Sequence, residues 1–188
     1  MKNLKTVALA LSVVFSVATT TAQTKKIDVS KSTINWVGKK VTGEHSGTVN
    51  FKDGAVVLKG TKLVGGTFTV DMTSLTATDL QGDSQGKLNG HLKSEDFFGT
   101  EKYPTATLVI KKIGAKSKNV YSAVADLTIK GITNPVSFDM TVNGNTATST
   151  FKVDRTKYDI KYNSASIFSS IGDKAISDEF DLAIALKF

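Results

Sequence analysis

His45 and His91 are the residues best suited to bind a metal or move a proton near neutral pH. Both have acidic neighbours, with Glu44 before His45 and Glu95 and Asp96 following His91 in GHLKSEDFF. A zinc site takes three or four ligands in tetrahedral array, and the chain has no cysteine to contribute. The two histidines stand 46 residues apart, so only tertiary coincidence could join them. Glu95 and Asp96 are adjacent and would diverge, unlike the facing carboxylates of a glycosidase. Gly82-Asp83-Ser84-Gln85-Gly86 matches G-x-S-x-G in letters only, in a glycine-rich stretch without the strand-to-helix elbow that places such a serine as a nucleophile. Gly65-Gly66 leads into an alternating strand, where a phosphate loop would open a helix. The expectation is therefore no catalytic residue, no metal and no enzyme.

The elements around these residues follow from pattern. MKNLKTVALALSVVFSVATTTAQ reads as a cleaved leader over residues 1–22: Lys2 and Lys5, an apolar stretch from Val7 to Ala18, then Ala22 before Gln23. Its apolar part is too short to span a membrane comfortably. Cleavage leaves one domain, residues 23–188, long enough for a continuous core without metal or disulfide. It also removes two of 24 basic residues and none of 17 acidic ones, for a net charge of +5. The sole arginine is Arg155, which argues against nucleic-acid recognition, where arginine reads guanine and phosphate. An exported chain of this kind is expected in the periplasm, with secretion as the alternative.

Beyond the leader the chain is written in period two. Phe68, Val70 and Met72 alternate with Thr69 and Asp71. Ala123, Ala125, Leu127 and Ile129 repeat the device, as do Val136, Phe138, Met140 and Val142. Phe180, Leu182, Ile184, Leu186 and Phe188 end the chain in the same way. Such alternation marks half-buried strands, predicted at 26–29, 32–38, 41–51, 54–60, 62–73, 104–114, 120–130, 135–143, 145–154 and 176–187. The first two can be one interrupted strand. Asp53-Gly54 suits a tight hairpin, as does Asn143-Gly144-Asn145, and a break is expected over Gly131–Pro135. Short connections imply antiparallel neighbours, and closure removes exposed edges. The fold class is all-β, an antiparallel eight-stranded barrel with one or two short helices in its crossovers. Those helices are expected around 84–93 and 164–171.

Two interiors fit. Bulky Phe51, Phe68, Met72, Phe138, Met140, Phe151 and Phe180 face small Gly43, Gly47, Gly66, Ala106 and Ala147. They can interdigitate into a filled core, or leave a dry cavity for an apolar tail. In the hollow version the candidate lining or mouth comprises Trp36, His45, Phe51, Phe68, Val70, Met72, Leu92, Phe97, Phe98, Leu108, Leu127, Phe138, Met140, Phe151, Arg155, Tyr158, Tyr162, Phe168, Phe180 and Leu182. His45 is read as a barrel-end histidine bonded to backbone, with contact to a ligand head as the alternative. His91 packs on the rim. Arg155 pairs with Asp178 or Glu179, or holds a headgroup.

HLKSEDFFGTEKYP (His91–Pro104), ADLTIKGITNPVSF (Ala125–Phe138), VDRTKYDIKY (Val153–Tyr162) and GDKAISDEFDLAI (Gly172–Ile184) together resemble the YceI-like family of exported lipid-binding proteins. The resemblance spans the mature chain. It implies an extended lipocalin-like barrel around a polyisoprenoid or isoprenoid-quinone-like chain, with no reaction and no required cofactor. A fatty-acid-like lipid is a further expected ligand. Partners would be the lipid and, transiently, a membrane surface, with no nucleic acid and a monomer or homodimer as the assembly. Two departures stand out: the glycine-rich, polar GKKVTGEHSG, and Asp159 where R-x-x-Y-G-I commonly has glycine. The rival functions are a packed structural or stress-response barrel, a histidine-dependent hydrolase or metal enzyme, and a protein-binding module with an exposed apolar patch.

Overall fold

A computed structural model describes residues 21–167 and 172–188. Most of the expected leader, Phe168 and the last part of the helical turn predicted over 164–171 lie outside the described residues. In chain order the elements are β1 (Ala22–Lys26), β2 (Thr33–Lys40), β3 (Gly43–Lys59), β4 (Lys62–Ala77), α1 (Gly82–Lys93), β5 (Thr105–Ser117), β6 (Val120–Ile129), β7 (Ile132–Asn143), β8 (Thr146–Asp154) and β9 (Ile176–Lys187). The strands hydrogen-bond in the order β3-β2-β9-β8-β7-β6-β5-β4, and β4 returns to β3. The sheet is thus a closed eight-stranded antiparallel barrel. β1 pairs with residues 55–59 of β3 and β2 with residues 43–49, both on the edge opposite β4. These two form a single interrupted stave.

One expected turn is absent. β3 runs without a break through Asp53-Gly54, and its register against β4 shifts between Phe51 and Asp53. The chain turns instead at Gly60, where φ is +62°. Gly54 serves packing: a Cβ there would lie 2.7 Å from the Phe68 ring and 3.0 Å from Ile27 Cδ1. A glycine demanded by a neighbour carries the same letter as one demanded by a turn. The β6–β7 connection is also tighter than expected. Lys130 and Gly131, with φ +50° and +74°, make a two-residue turn, and β7 begins at Ile132. Pro135 sits inside β7 in register with Asp126. The β7–β8 ladder starts only at Met140, so Pro135 occupies the edge-like setting a proline tolerates.

α1 has no buried residue, and polar side chains fasten it to the end of β4. Asn89 Oδ1 accepts from the Ala77 amide at 2.7 Å, and Gln85 Nε2 donates to the Ala77 carbonyl at 2.7 Å. These bonds satisfy backbone groups where β4 leaves the sheet. Two further short 3-10 turns occupy Arg155–Tyr158 and Gly172–Lys174.

Candidate functional site: an apolar cavity inside the barrel

Because successive strand residues face opposite sides, each stave places every second side chain inward. β2 supplies Ile34, Trp36 and Gly38, β3 supplies Val49 and Phe51, and β4 supplies Phe68, Val70, Met72 and Leu75. β5 and β6 add Ala106, Thr107, Leu108, Leu127 and Ile129. Phe138 and Met140 of β7, Ser149 and Phe151 of β8, and Phe180, Leu182, Ile184 and Leu186 of β9 complete the ring. These walls do not meet. They bound an almost wholly apolar cavity of about 160 Å³, open at its mouth. Closed cores hold few voids larger than a water molecule, so this space is far beyond a packing defect.

The wall is not uniformly sheet. Leu92, Phe97 and Phe98 close one end from the crossover between β4 and β5. Phe97 is buried and packs against the rings of His91 at 4.9 Å and Tyr162 at 5.7 Å. His91 meets Tyr162 edge-on at 4.6 Å, and its Nε2 is 3.8 Å from Asp96. His91 thus belongs to an aromatic rim. Phe98 is half-buried and meets Phe180 edge-to-face at 6.2 Å.

Arg155 touches the cavity yet spends its guanidinium elsewhere. Nε donates to the Ser177 carbonyl at 2.9 Å, Nη1 to Ile160 at 2.8 Å and Nη2 to Ile176 at 3.0 Å. Asp178 Oδ1 stands 3.7 Å from Nη2. The pairing with Asp178 is present, but three carbonyls dominate, and the side chain ties both ends of the β8–β9 connection together. Burial pulls the guanidinium below its usual pKa, against the opposing charges of Asp178 and Asp154. Burial pushes the Asp178 carboxyl up, but Ser164, Ser166 and Arg155 outweigh it and hold it below the usual carboxylate range. Asp159, the departure from the R-x-x-Y-G-I pattern, has φ +60° and closes the 3-10 turn in a left-handed conformation. Glycine adopts that conformation freely and aspartate tolerates it. Asp159 also pairs with Lys161 at 2.6 Å.

Of the residues singled out from sequence, sixteen lie on the cavity wall: Trp36, Phe51, Phe68, Val70, Met72, Leu92, Phe97, Phe98, Leu108, Leu127, Phe138, Met140, Phe151, Arg155, Phe180 and Leu182. Three do not. His45 Nδ1 lies 2.8 Å from Asp79 Oδ2, tying β3 to the chain after β4 outside the cavity. Burial raises the Asp79 pKa, but His45 and the Ser46 amide outweigh it and hold the carboxyl low. Tyr158 is fully buried beneath the β8–β9 connection, where burial first and the charge of Asp154 second push its hydroxyl up to about 12. Tyr162 is exposed and meets His91 edge-on at the rim. Phe168 lies outside the described residues. Ile34, Val49, Leu75, Ile129, Ile184 and Leu186 were missed, although stepping two residues along each strand from a named neighbour finds most of them. No group of three metal-ligating side chains occurs among the described residues.

Residues 26–188 match the YceI-like domain. The chain belongs to the YceI-like family. Relatives of this YceI-like chain include a UPF0312 protein of Staphylococcus aureus strain USA300, 40% identical over 88 residues that make up 41% of this chain and 48% of the relative. A UPF0312 protein of Staphylococcus epidermidis is 42% identical over 82 residues, 39% of this chain and 43% of that one. The chain therefore spans about half the length of the curated relatives it matches, or less. Among solved structures, BcnA of Burkholderia cenocepacia superposes with a TM-score of 0.62 at 23% identity, over 85% of this chain and 98% of that one. A polyisoprenoid binding domain from Saccharophagus degradans, implicated in plant cell wall breakdown, gives 0.57 at 15% identity, over 86% and 95%. The Campylobacter jejuni YceI protein gives 0.56 at 20%, over 74% and 82%. At these identities the likeness establishes the shared barrel.

Proposed function

We propose that this chain binds, stores or carries a long apolar lipid in the cell envelope, without catalysing a reaction on it. The observation that carries this reading is the cavity: a closed sheet whose facing walls leave an apolar space open to the outside. A polyisoprenoid or isoprenoid-quinone tail fits that chemistry best, and the solved relative named as a polyisoprenoid binding domain supports the choice. A fatty-acid-like chain uses the same wall. Each methylene leaving water contributes roughly 0.8 kcal/mol before ordering costs, so an extended tail needs no charged anchor. Arg155 is turned away from that role, because three of its five donors hold backbone carbonyls and Asp178 stands beside its Nη2. The basic, apolar start of the chain supports export, and the periplasm is the compartment where a soluble sheath for such a tail is needed. Delivery would involve brief contact with a membrane surface.

Native mass spectrometry followed by organic extraction of the protein from its own envelope tests this. The expected result is a bound prenyl or acyl lipid, lost or diminished in Phe68→Asp and Phe138→Asp, which place a charge on the cavity wall. A protein that emerges empty and takes up no polyprenol supplied in detergent would overturn the reading. His45→Ala and His91→Ala should leave occupancy intact.

A further inference from the structure

Glycines on the inward face of this barrel have reasons that can be read one by one. A Cβ on Gly47 would lie 2.0 Å from the Thr76 carbonyl oxygen and 2.6 Å from the Trp36 ring, so Gly47 makes room for a close crossing. Gly54 and Gly66 make room for Phe68. Gly38 does neither. It continues the inward alternation of Ile34 and Trp36 and touches the cavity, yet a Cβ there would meet no atom of the described residues within 4 Å. Its φ is not left-handed, so the backbone does not require glycine. Its missing side chain leaves a gap in the wall.

The surroundings of that gap are built as an opening. Gly38 pairs with Phe180, whereas two residues on, Lys40 pairs with Ile176. Four residues of β9 thus span two of β2, and an irregularity of this kind bends a strand away from its neighbour. Ser177, within the irregularity, is exposed to solvent and also faces the cavity. Met140 and Leu186, by contrast, face the cavity and are only 3% and 4% exposed. Phe98 reaches over from the turn after α1 and contacts Phe180 edge-to-face. That turn follows a helix with no buried residue, held to β4 by amide side chains. We infer that the ligand enters and leaves beside Gly38, through an opening gated by Phe98 against Phe180. The inference rests on the ligand-binding reading, and its test separates the two.

The chain has no cysteine, so Met140→Cys places a single thiol inside the cavity. Its rate of alkylation by N-ethylmaleimide reports access, whether or not a lipid is the natural cargo. Adding Gly38→Leu should slow alkylation about tenfold, equivalent to ~1.4 kcal/mol on the barrier. Adding Phe98→Ala should raise it, at a denaturation midpoint measured in parallel. If Met140→Cys fails to fold, Ile184→Cys serves as the reporter. With retinol as a fluorescent isoprenoid probe, Gly38→Leu should slow association and dissociation together. A protein that binds no retinol or other lipid counts against the carrier reading, while the thiol rates still judge the doorway. Alkylation rates indifferent to Gly38→Leu and Phe98→Ala overturn the inference. Rates that rise only with Phe151→Ala would assign the route to the β7–β8 seam and overturn it equally.

Discussion

Phe138 and Phe151 stack with centroids 4.7 Å apart and ring planes 18° from parallel, where β7 and β8 have ceased to hydrogen-bond. The ladder between these strands ends at Met140 and Ser149, so the two rings continue the wall by side chains alone. Farther along, Asn134 Nδ2 reaches the Lys157 carbonyl at 2.9 Å. Stacked aromatics add to the burial of their own area. Phe151→Ala should lower stability by about 2 kcal/mol, less than the ~3–5 kcal/mol for a fully buried phenylalanine because Phe151 is half-buried. Urea unfolding checks it, and an unchanged midpoint would show that the seam does not depend on the stack.

Arg155 pins three carbonyls from both sides of the β8–β9 connection while almost fully buried. A guanidinium presents donors in a fixed planar fork that lysine cannot reproduce. Arg155→Lys and Arg155→Met should each lose about 3 kcal/mol, since several charge-assisted bonds disappear together. Limited proteolysis should find the connection between residues 156 and 175 more readily cut in both. A Lys variant with wild-type stability would refute the pinning role.

Tyr158 presents the opposite case. Its hydroxyl is buried and has no hydrogen-bond partner among the described residues. An unsatisfied buried donor is unfavourable, so removing it relieves the fold. Tyr158→Phe should be neutral or more stable by up to about 1 kcal/mol, seen as an equal or higher Tm. A clear fall in Tm would reveal a partner for the hydroxyl.

Acid should unfold the protein through depressed carboxylates. Asp178 and Asp79 have folded pKa values below the ordinary carboxylate range, and Asp28 is lowered to about 2, mainly by its hydrogen bond with Lys31. A group with a lowered folded pKa contributes stability that is fully present above its unfolded value of about 3.9. That contribution is lost as pH falls through the folded value. The midpoint in urea should therefore hold near neutrality and decline below about pH 4. Asp178→Asn should flatten part of that decline, and an unaltered acid profile would remove Asp178 from the account.

Much of the barrel was legible from residue order. The runs Phe68–Val70–Met72, Phe138–Met140 and Phe180–Leu182 each point inward as their alternation predicts, because side-chain direction on a strand is set locally. The helix near 84–93 was also legible, from leucine spacing, despite three glycines. Asp53-Gly54 was misread as a turn. Its local signal is that of a hairpin, while the constraint it answers is the Phe68 ring from another strand. The alternation of β3 suggests a barrel-end His45 bonded to backbone, or alternatively touching a ligand head, but its ring meets the carboxylate of Asp79, 34 residues later.

By itself the order of residues determined the all-β class, the antiparallel neighbours and which side chain of each pair looks inward. Those follow from a two-residue period and from short connections, both of which act over a few residues. Tertiary structure alone decided whether the inward side chains meet. That outcome depends on how far apart closure holds the staves, and on whether residues distant in sequence, such as Gly38 and Phe180, face each other across the wall. It likewise decided that Arg155 turns to backbone carbonyls, since those acceptors exist only once β9 has returned beside β8.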